Sequence, residues 1–308
     1  MWQNSAVFNL RSLFWRPMQH KKSRTEKINI RGLRYNVRHW GPDNAPMVFF
    51  LHGWMDCSPT FQFVVDALQE TWHVIAPDWR GYGESEWLLR PYWFPDYYAD
   101  LHCLLEHYSS GKPARVVAHS MGANISGCYA GVRPERIKQL VMLDFLGLKP
   151  AIDDDSPNLI GKWIKNLESG PPQGVYPNCE ALAARLMELD PRLSESRAQF
   201  LSGNICRYRS DSMIEMACDP WHRVPSPVAY HIEDVLACWS RIEAPVLLLI
   251  AEHGLVIHRF GNDRKEFDRR IGSFKNLQTD RIPDSGHNVQ HDQPERVAKA
   301  IEVFLTRD

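Results

Sequence analysis

The chain has 308 residues, of which 44% are hydrophobic and 24% charged, a balance that suits one large or two modest globular domains and excludes a wholly disordered chain. Its 36 Lys and Arg nearly cancel its 37 Asp and Glu, leaving a formal charge of −1, so nothing general draws it to nucleic acid or to anionic membranes. No run of 18 apolar residues is present, which argues against a membrane-spanning helix and stable membrane insertion.

Residues 1–27 carry six Lys or Arg against one acid, Glu26. Residues 1–26 read as a basic tail of poor order, or as the product of a start placed ahead of Met18. An amphipathic surface helix or an organellar targeting peptide is the alternative reading. Lys27–Ile30 and Arg34–Trp40 then alternate as strands around Gly32, a hairpin signal. Met47–Leu51 is a short continuous apolar run suited to a strand buried on both faces. A helix is expected over Pro59–Glu70, a strand at His73–Ala76 and a helix over Pro95–Tyr108. Arg115–Ala118 reads as a strand and runs directly into a small-residue helix over Met121–Gly131. A further strand is expected at Leu140–Leu143.

The rhythm breaks from Gly147 to about Ile242, where no strand is expected and helical patterns stand at 180–190, 194–206 and 228–241. Pro245–Ala251 is the strongest strand signal in the chain. A helix near 262–272, a strand near 277–282 and a helix over Pro294–Leu305 follow. Alternating strands and helices mean a mostly parallel sheet of about eight strands with helices on both faces. The expected division is a core of 27–146 and 243–308, with 147–242 inserted as a helical cap. The seven cysteines (Cys57, Cys103, Cys128, Cys179, Cys206, Cys218 and Cys238) include no CxxC pair, so neither a disulfide framework nor a zinc site is suggested. The plain expectation is a reduced, cytoplasmic protein.

Ligands of open α/β sheets lie beyond the carboxyl ends of the strands. Those ends here carry His52-Gly53-Trp54, Asp78 to Ser85, His119-Ser120-Met121-Gly122, Asp144 and Ser285-Gly286-His287. Ser, Asp and His are thus delivered in that order. The segment Ala118-His119-Ser120-Met121-Gly122 resembles the G-x-S-x-G nucleophile elbow of the α/β-hydrolase superfamily, with Ala118 in place of the first glycine. The resemblance covers about residues 27 to 308 and implies an α/β-hydrolase fold.

It also implies roles. Ser120 is the expected nucleophile and His287 its general base, in a loop like the family's histidine loop. The amides of Met121 and Trp54 are the expected oxyanion donors. Many family members carry the acid after the seventh strand, in a pattern close to Gly-x-x-Asp. This chain reads Ala251-Glu252-His253-Gly254 there. The other family location follows the sixth strand, as in haloalkane dehalogenases, and Asp144 stands there. Asp144 is therefore the expected acid, with Glu252 or Asp263 as alternatives.

Milder readings attach to the rest. His52 is a structural histidine, and His291 helps to order its loop. Asp78 to Ser85, which resembles the superfamily's D-x-R-G-x-G-x-S segment, is a structural turn beside the cleft and no phosphate loop. Asp153-Asp154-Asp155 is a solvated loop, and no metal site is expected. Trp87, Tyr92, Trp93, Phe94, Tyr97 and Tyr98 divide between core and pocket wall, with Trp54, Trp163 or Trp221 completing the wall. The expected function is a cofactor-independent serine hydrolase acting on a small hydrophobic ester or related acyl substrate. A C–C bond hydrolase, a cofactor-free oxygenase and a non-catalytic binding protein on the same fold are the alternatives. The serine at 120 argues against the carboxylate-nucleophile chemistry of dehalogenases and epoxide hydrolases.

Overall fold

The computed structural model describes residues 20–148, 155–172 and 174–307. The chain enters as a hairpin of β1 (Ser23–Ile30) and β2 (Leu33–Trp40). Its two-residue turn, Arg31-Gly32, has positive φ at both positions, as a type I′ turn requires. β3 (Met47–Leu51), the short helix α1 (Gln62–Ala67), β4 (His73–Pro77) and α2 (Pro95–Ser109) follow. Next come β5 (Ala114–His119), α3 (Met121–Val132) and β6 (Ile137–Leu143).

The segment between β6 and the next core strand holds α4 (Ser156–Ser169), β7 (Val175–Tyr176), α5 (Cys179–Leu189), α6 (Glu195–Asn204), β8 (Cys206–Tyr208), β9 (Ile214–Met216) and α7 (Ile232–Trp239). The core resumes with β10 (Val246–Ala251), α8 (Leu255–Phe260), α9 (Arg264–Ile271), β11 (Leu277–Ile282), α10 (Val289–Asp292) and α11 (Pro294–Leu305).

Eight strands form one sheet in the order β1-β2-β4-β3-β5-β6-β10-β11. β1 and β2 pair antiparallel with their neighbours, and the other six strands run parallel. The connections leave β3 for β4 on one side and return to β5 on the other. Such a reversal opens a crevice at the carboxyl ends of the two strands. Alternate side chains of β3 serve opposite faces. Phe49 and Leu51 pack with Leu101 and Leu104 of α2 and Ile125 of α3. Val48 and Phe50 pack with Val64 and Val65 of α1 and Val297 and Ile301 of α11. Burial on both faces explains why β3 and β10 are continuous apolar runs.

Three expectations change. β1 begins at Ser23, ahead of the boundary at 26, and the His20 ring hydrogen-bonds Asp66 at 2.5 Å; the rest of the expected tail, 1–19, lies outside the described residues. The insertion is not wholly helical. It contains a three-stranded antiparallel sheet, β7-β9-β8, whose strands of two or three residues are too short to show alternation in sequence. Its α7 turns back onto the core, where a Cβ on Gly131 of α3 would run into the Cys238 carbonyl. Finally, the helix expected at 262–272 is present as α9, but a second helix, α8, precedes it across Gly261 where none was expected. Among the described residues, no helix is long and apolar enough to cross a membrane.

Candidate active site

Ser120 joins β5 to α3 with φ of 48° and ψ of −109°, a backbone state that side chains rarely adopt and that a strand-to-helix reversal demands. Small neighbours permit the bend. A Cβ on Gly122 would run into the Leu51 carbonyl, and one on Gly53 would lie 2.8 Å from the His119 ring. Ala118 is fully buried, its strand lying between β3 and β6, and its single methyl belongs to the core cluster that holds Leu101 and Ile125. Because α3 starts at Met121, the Met121 amide has no carbonyl one turn earlier to bond, and the positive end of the helix dipole lies beside Ser120.

His287 lies in the loop between β11 and α10. Its Nε2 is 2.9 Å from Ser120 Oγ, and its Nδ1 is 2.9 Å from Asp144 Oδ2. With Nδ1–H donating to the carboxylate, Nε2 accepts from the serine hydroxyl. Asp144 follows β6 directly and also has positive φ, 45°. Its amide donates to the Leu249 carbonyl at 2.8 Å. Its Oδ1 accepts from the Ala251 amide at 3.2 Å and its Oδ2 from the Leu255 amide at 2.6 Å. The carboxylate thereby fills the space above Gly254, where any Cβ would collide with it. Glu252 instead accepts from the Asp284 amide at 2.8 Å, and Asp263 caps α9 through the Glu266 amide at 3.0 Å.

Burial raises the Asp144 carboxyl to about 7, against the pull of the Leu255 and Ala251 amides and Arg259. Three N–H donors on its oxygens, His287 among them, favour its ionised form. Burial lowers His287 to about 4, and the nearby Arg259 cation adds to the fall. The imidazole is therefore neutral near pH 7, the form that can take a proton.

Other marked residues support the cleft. His52 is fully buried; its Nε2 accepts from the Trp79 amide at 2.9 Å and its Nδ1 donates to the Gly53 carbonyl at 2.8 Å. His119 Nε2 donates to the His287 carbonyl at 2.9 Å, a contact that sequence reading missed. His291 lies buried in α10, and its carbonyl accepts from Arg197 of α6 at 2.7 Å. The Asp78 carboxylate gathers Ser58 N, Asn36 Nδ2 and Glu84 N at 2.7–3.0 Å. Two glycines of that turn are required: a Cβ on Gly83 (φ +54°) would strike this carboxylate, and one on Gly81 (φ +76°) the Tyr92 hydroxyl. Asp155 caps α4 through the Asn158 amide, while Asp153 and Asp154 lie outside the described residues.

Two cavities meet at Ser120 and His287, with Trp54 lining both. The larger, about 580 Å³, is walled by aromatic rings from the core, Tyr82, Tyr92, Phe94 and Tyr97, and by Trp221 of the insertion. Met121 and Arg259 also line it. Trp163, Trp87, Trp93 and Tyr98 do not. The smaller, about 440 Å³, has a more polar wall that includes Asp56, Asp190, Arg192 and His291. Sequence reading missed Arg259 and Asp56; neither stands in a motif, and only the fold brings them to the cleft.

The family model described as "alpha/beta hydrolase fold" matches residues 46–294. The chain is 30% identical over 277 residues to the serine hydrolase-like protein of Danio rerio, covering 86% of this chain and 83% of that one. It is 24% identical over 288 residues to the bifunctional esterase/perhydrolase of Acinetobacter calcoaceticus, covering 89% and 96%. A thioesterase domain from the curacin biosynthetic pathway superimposes with a TM-score of 0.79 at 21% identity, covering 92% of this chain and 99% of that one. The sharp bend at Ser120, the sheet order beneath it and these matches agree: the chain belongs to the α/β-hydrolase fold family.

Proposed function

We propose that the protein is a cofactor-independent serine hydrolase that cleaves a hydrophobic ester or related acyl substrate. The reading rests on one observation above all: a serine hydroxyl on a strained bend, 2.9 Å from a neutral imidazole whose other nitrogen meets a buried carboxylate. In this reading Ser120 Oγ bonds to the substrate carbonyl carbon as its proton moves to His287 Nε2. The Met121 and Trp54 amides receive the oxyanion. Asp144 holds the tautomer and offsets the imidazolium charge. The C–O bond to the alcohol then breaks, and the His287 proton leaves with it. Water, deprotonated by the same nitrogen, attacks the acyl-enzyme, and Ser120 recovers its proton as the acid departs.

Support also comes from the relatives named serine hydrolase-like and esterase, and from the aromatic wall of the larger cavity, which suits an apolar acyl chain. The segment inserted between β6 and β10 acts as the cap over this cleft. A fluorophosphonate probe tests the reading: the parent protein is labelled, and Ser120→Ala is not. Labelling that survives Ser120→Ala, or a folded parent that resists the probe and a panel of acyl esters of graded length, overturns it.

A further inference from the structure

Two of the seven cysteines stand apart by where their sulfurs lie. Cys179 Sγ and Cys206 Sγ are 3.5 Å apart, although 27 residues separate them along the chain. Both residues are partly exposed, whereas Cys57, Cys128 and Cys218 are buried. Cys179 Sγ also touches the Tyr208 hydroxyl at 4.0 Å, and Cys206 Sγ the Gly203 carbonyl at 3.9 Å.

The sulfurs meet because both backbones are fixed. Cys179 is the first residue of α5, and the Asn178 side chain caps that helix by accepting from the Ala181 amide at 2.9 Å. Cys206 opens β8 and pairs with Met216 of β9. Both residues pack on one small apolar cluster that includes Leu182 of α5 and Ile214 of β9. A disulfide holds its sulfurs about 2.0 Å apart. Side-chain rotation can close the remaining gap, because the two ends of the loop are already together. Cys218 differs: its sulfur faces the Met55 thioether at 3.1 Å, a group that cannot form a disulfide.

We infer that Cys179 and Cys206 are a dithiol site that hydrogen peroxide oxidises to a disulfide, tying the start of α5 to β8. Burial and the hydrogen bond to Cys179 raise the Cys206 thiol above its ordinary value. Cys206 therefore keeps its proton, and Cys179 is the sulfur that reacts first. The Cys179 sulfur attacks peroxide. An S–O bond forms as O–O breaks, and the hydroxide leaves with the Cys179 proton as water, giving a sulfenic acid. The Cys206 sulfur then attacks the Cys179 sulfur. S–S forms as S–O breaks, and the second hydroxide takes the Cys206 proton as water. Two thiols give up two electrons, and one peroxide is reduced to two waters. The loop so closed contains α5 and α6, which supply Leu186, Leu189 and Leu201 to the wall of the smaller cavity. Oxidation thus constrains one side of the cleft.

Peptide mapping tests the site. Reduced full-length protein is treated with hydrogen peroxide, alkylated with N-ethylmaleimide in denaturant, and digested without reductant for mass spectrometry. The expected product is a peptide pair joined at Cys179 and Cys206, with the other cysteines alkylated. In Cys206→Ser the cross-link is lost and dimedone adds to Cys179, whose sulfenic acid has no thiol to close on. In Cys179→Ser, Cys206 stays reduced. The oxidised parent is expected to melt about 5 °C or more above the reduced one, as a cross-link over a loop of this length implies. Cys206→Ser should melt alike with and without peroxide. Cys179 and Cys206 both alkylated after treatment, whether or not peroxide has joined Cys128 to Cys238, overturns the site. A disulfide between two chains, or an oxidised protein that melts no higher than the reduced one, also overturns it.

Discussion

The carboxylate of Asp144 and a side chain at position 254 compete for one volume. Asp144 reaches across from the end of β6 and receives the amides of Ala251 and Leu255, and the only residue that leaves room for it there is Gly254. The lack of a carboxylate at position 254 after β10 and the presence of one at 144 after β6 are therefore a single structural fact. In Gly254→Ala the new methyl displaces the carboxylate from His287 Nδ1. We expect kcat to fall by about 100-fold with the fold retained, as misplacement on the ångström scale does elsewhere. Steady-state kinetics beside circular dichroism check this; activity within threefold of the parent would refute it.

Asp144→Asn keeps the shape of the side chain and removes its charge. The amide can hold the wrong imidazole tautomer, so kcat is expected to drop by about 10³–10⁴. Glu252→Gln and Asp263→Asn, whose carboxylates serve the Asp284 amide and the α9 cap, should stay within about threefold, since surface changes of this kind are usually small. Comparing the three variants on one ester substrate locates the acid.

Arg259 lowers both Asp144 and His287. Removing its charge in Arg259→Gln must raise both, so the acid limb of the kcat/KM profile moves upward whichever group governs it. The sign follows from the proposed role of His287 as base: that role needs the unprotonated imidazole, which is lost as pH falls through its pKa. A limb that stays in place or moves down contradicts the assignment.

Position 120 stores backbone strain, with φ of 48° and ψ of −109°. Glycine tolerates positive φ and alanine does not, so Ser120→Gly should be more stable than Ser120→Ala by about 1–2 kcal/mol, the reverse of the usual order. Urea unfolding of the two inactive proteins measures the difference. Equal midpoints would place the strain elsewhere.

Much of this architecture is written locally. β3 and β10 are buried on both faces and so appear as unbroken apolar runs. Ser120 and His287 sit in short patterns that a sharp bend and a loop impose on their neighbours. Asp144 is readable from its place after β6 together with the glycine at 254. What the sequence hides is what tertiary contact decides. β1 is an edge strand whose Ser-Arg-Thr-Glu start is charged, as edges tend to be, and so reads as a tail. The strands β7, β8 and β9 are too short for a period. Asp56 and Arg259 acquire meaning only where loops from distant parts of the chain converge.

The small insertion sheet does not float over the cleft. Gly83 N donates to Ala217 O, Asp219 N to Gly81 O, and the Asp219 carboxylate accepts from Leu89 N and the Tyr92 hydroxyl. These four bonds rivet the β9 end of the insertion to the Asp78 turn. At about 1 kcal/mol each, wholesale lifting would be disfavoured roughly a thousandfold. In the proposed reading, the fixed space beside the exposed indole of Trp54, which lines both cavities, rather than the rate at which the insertion lifts, sets the upper size of what reaches Ser120.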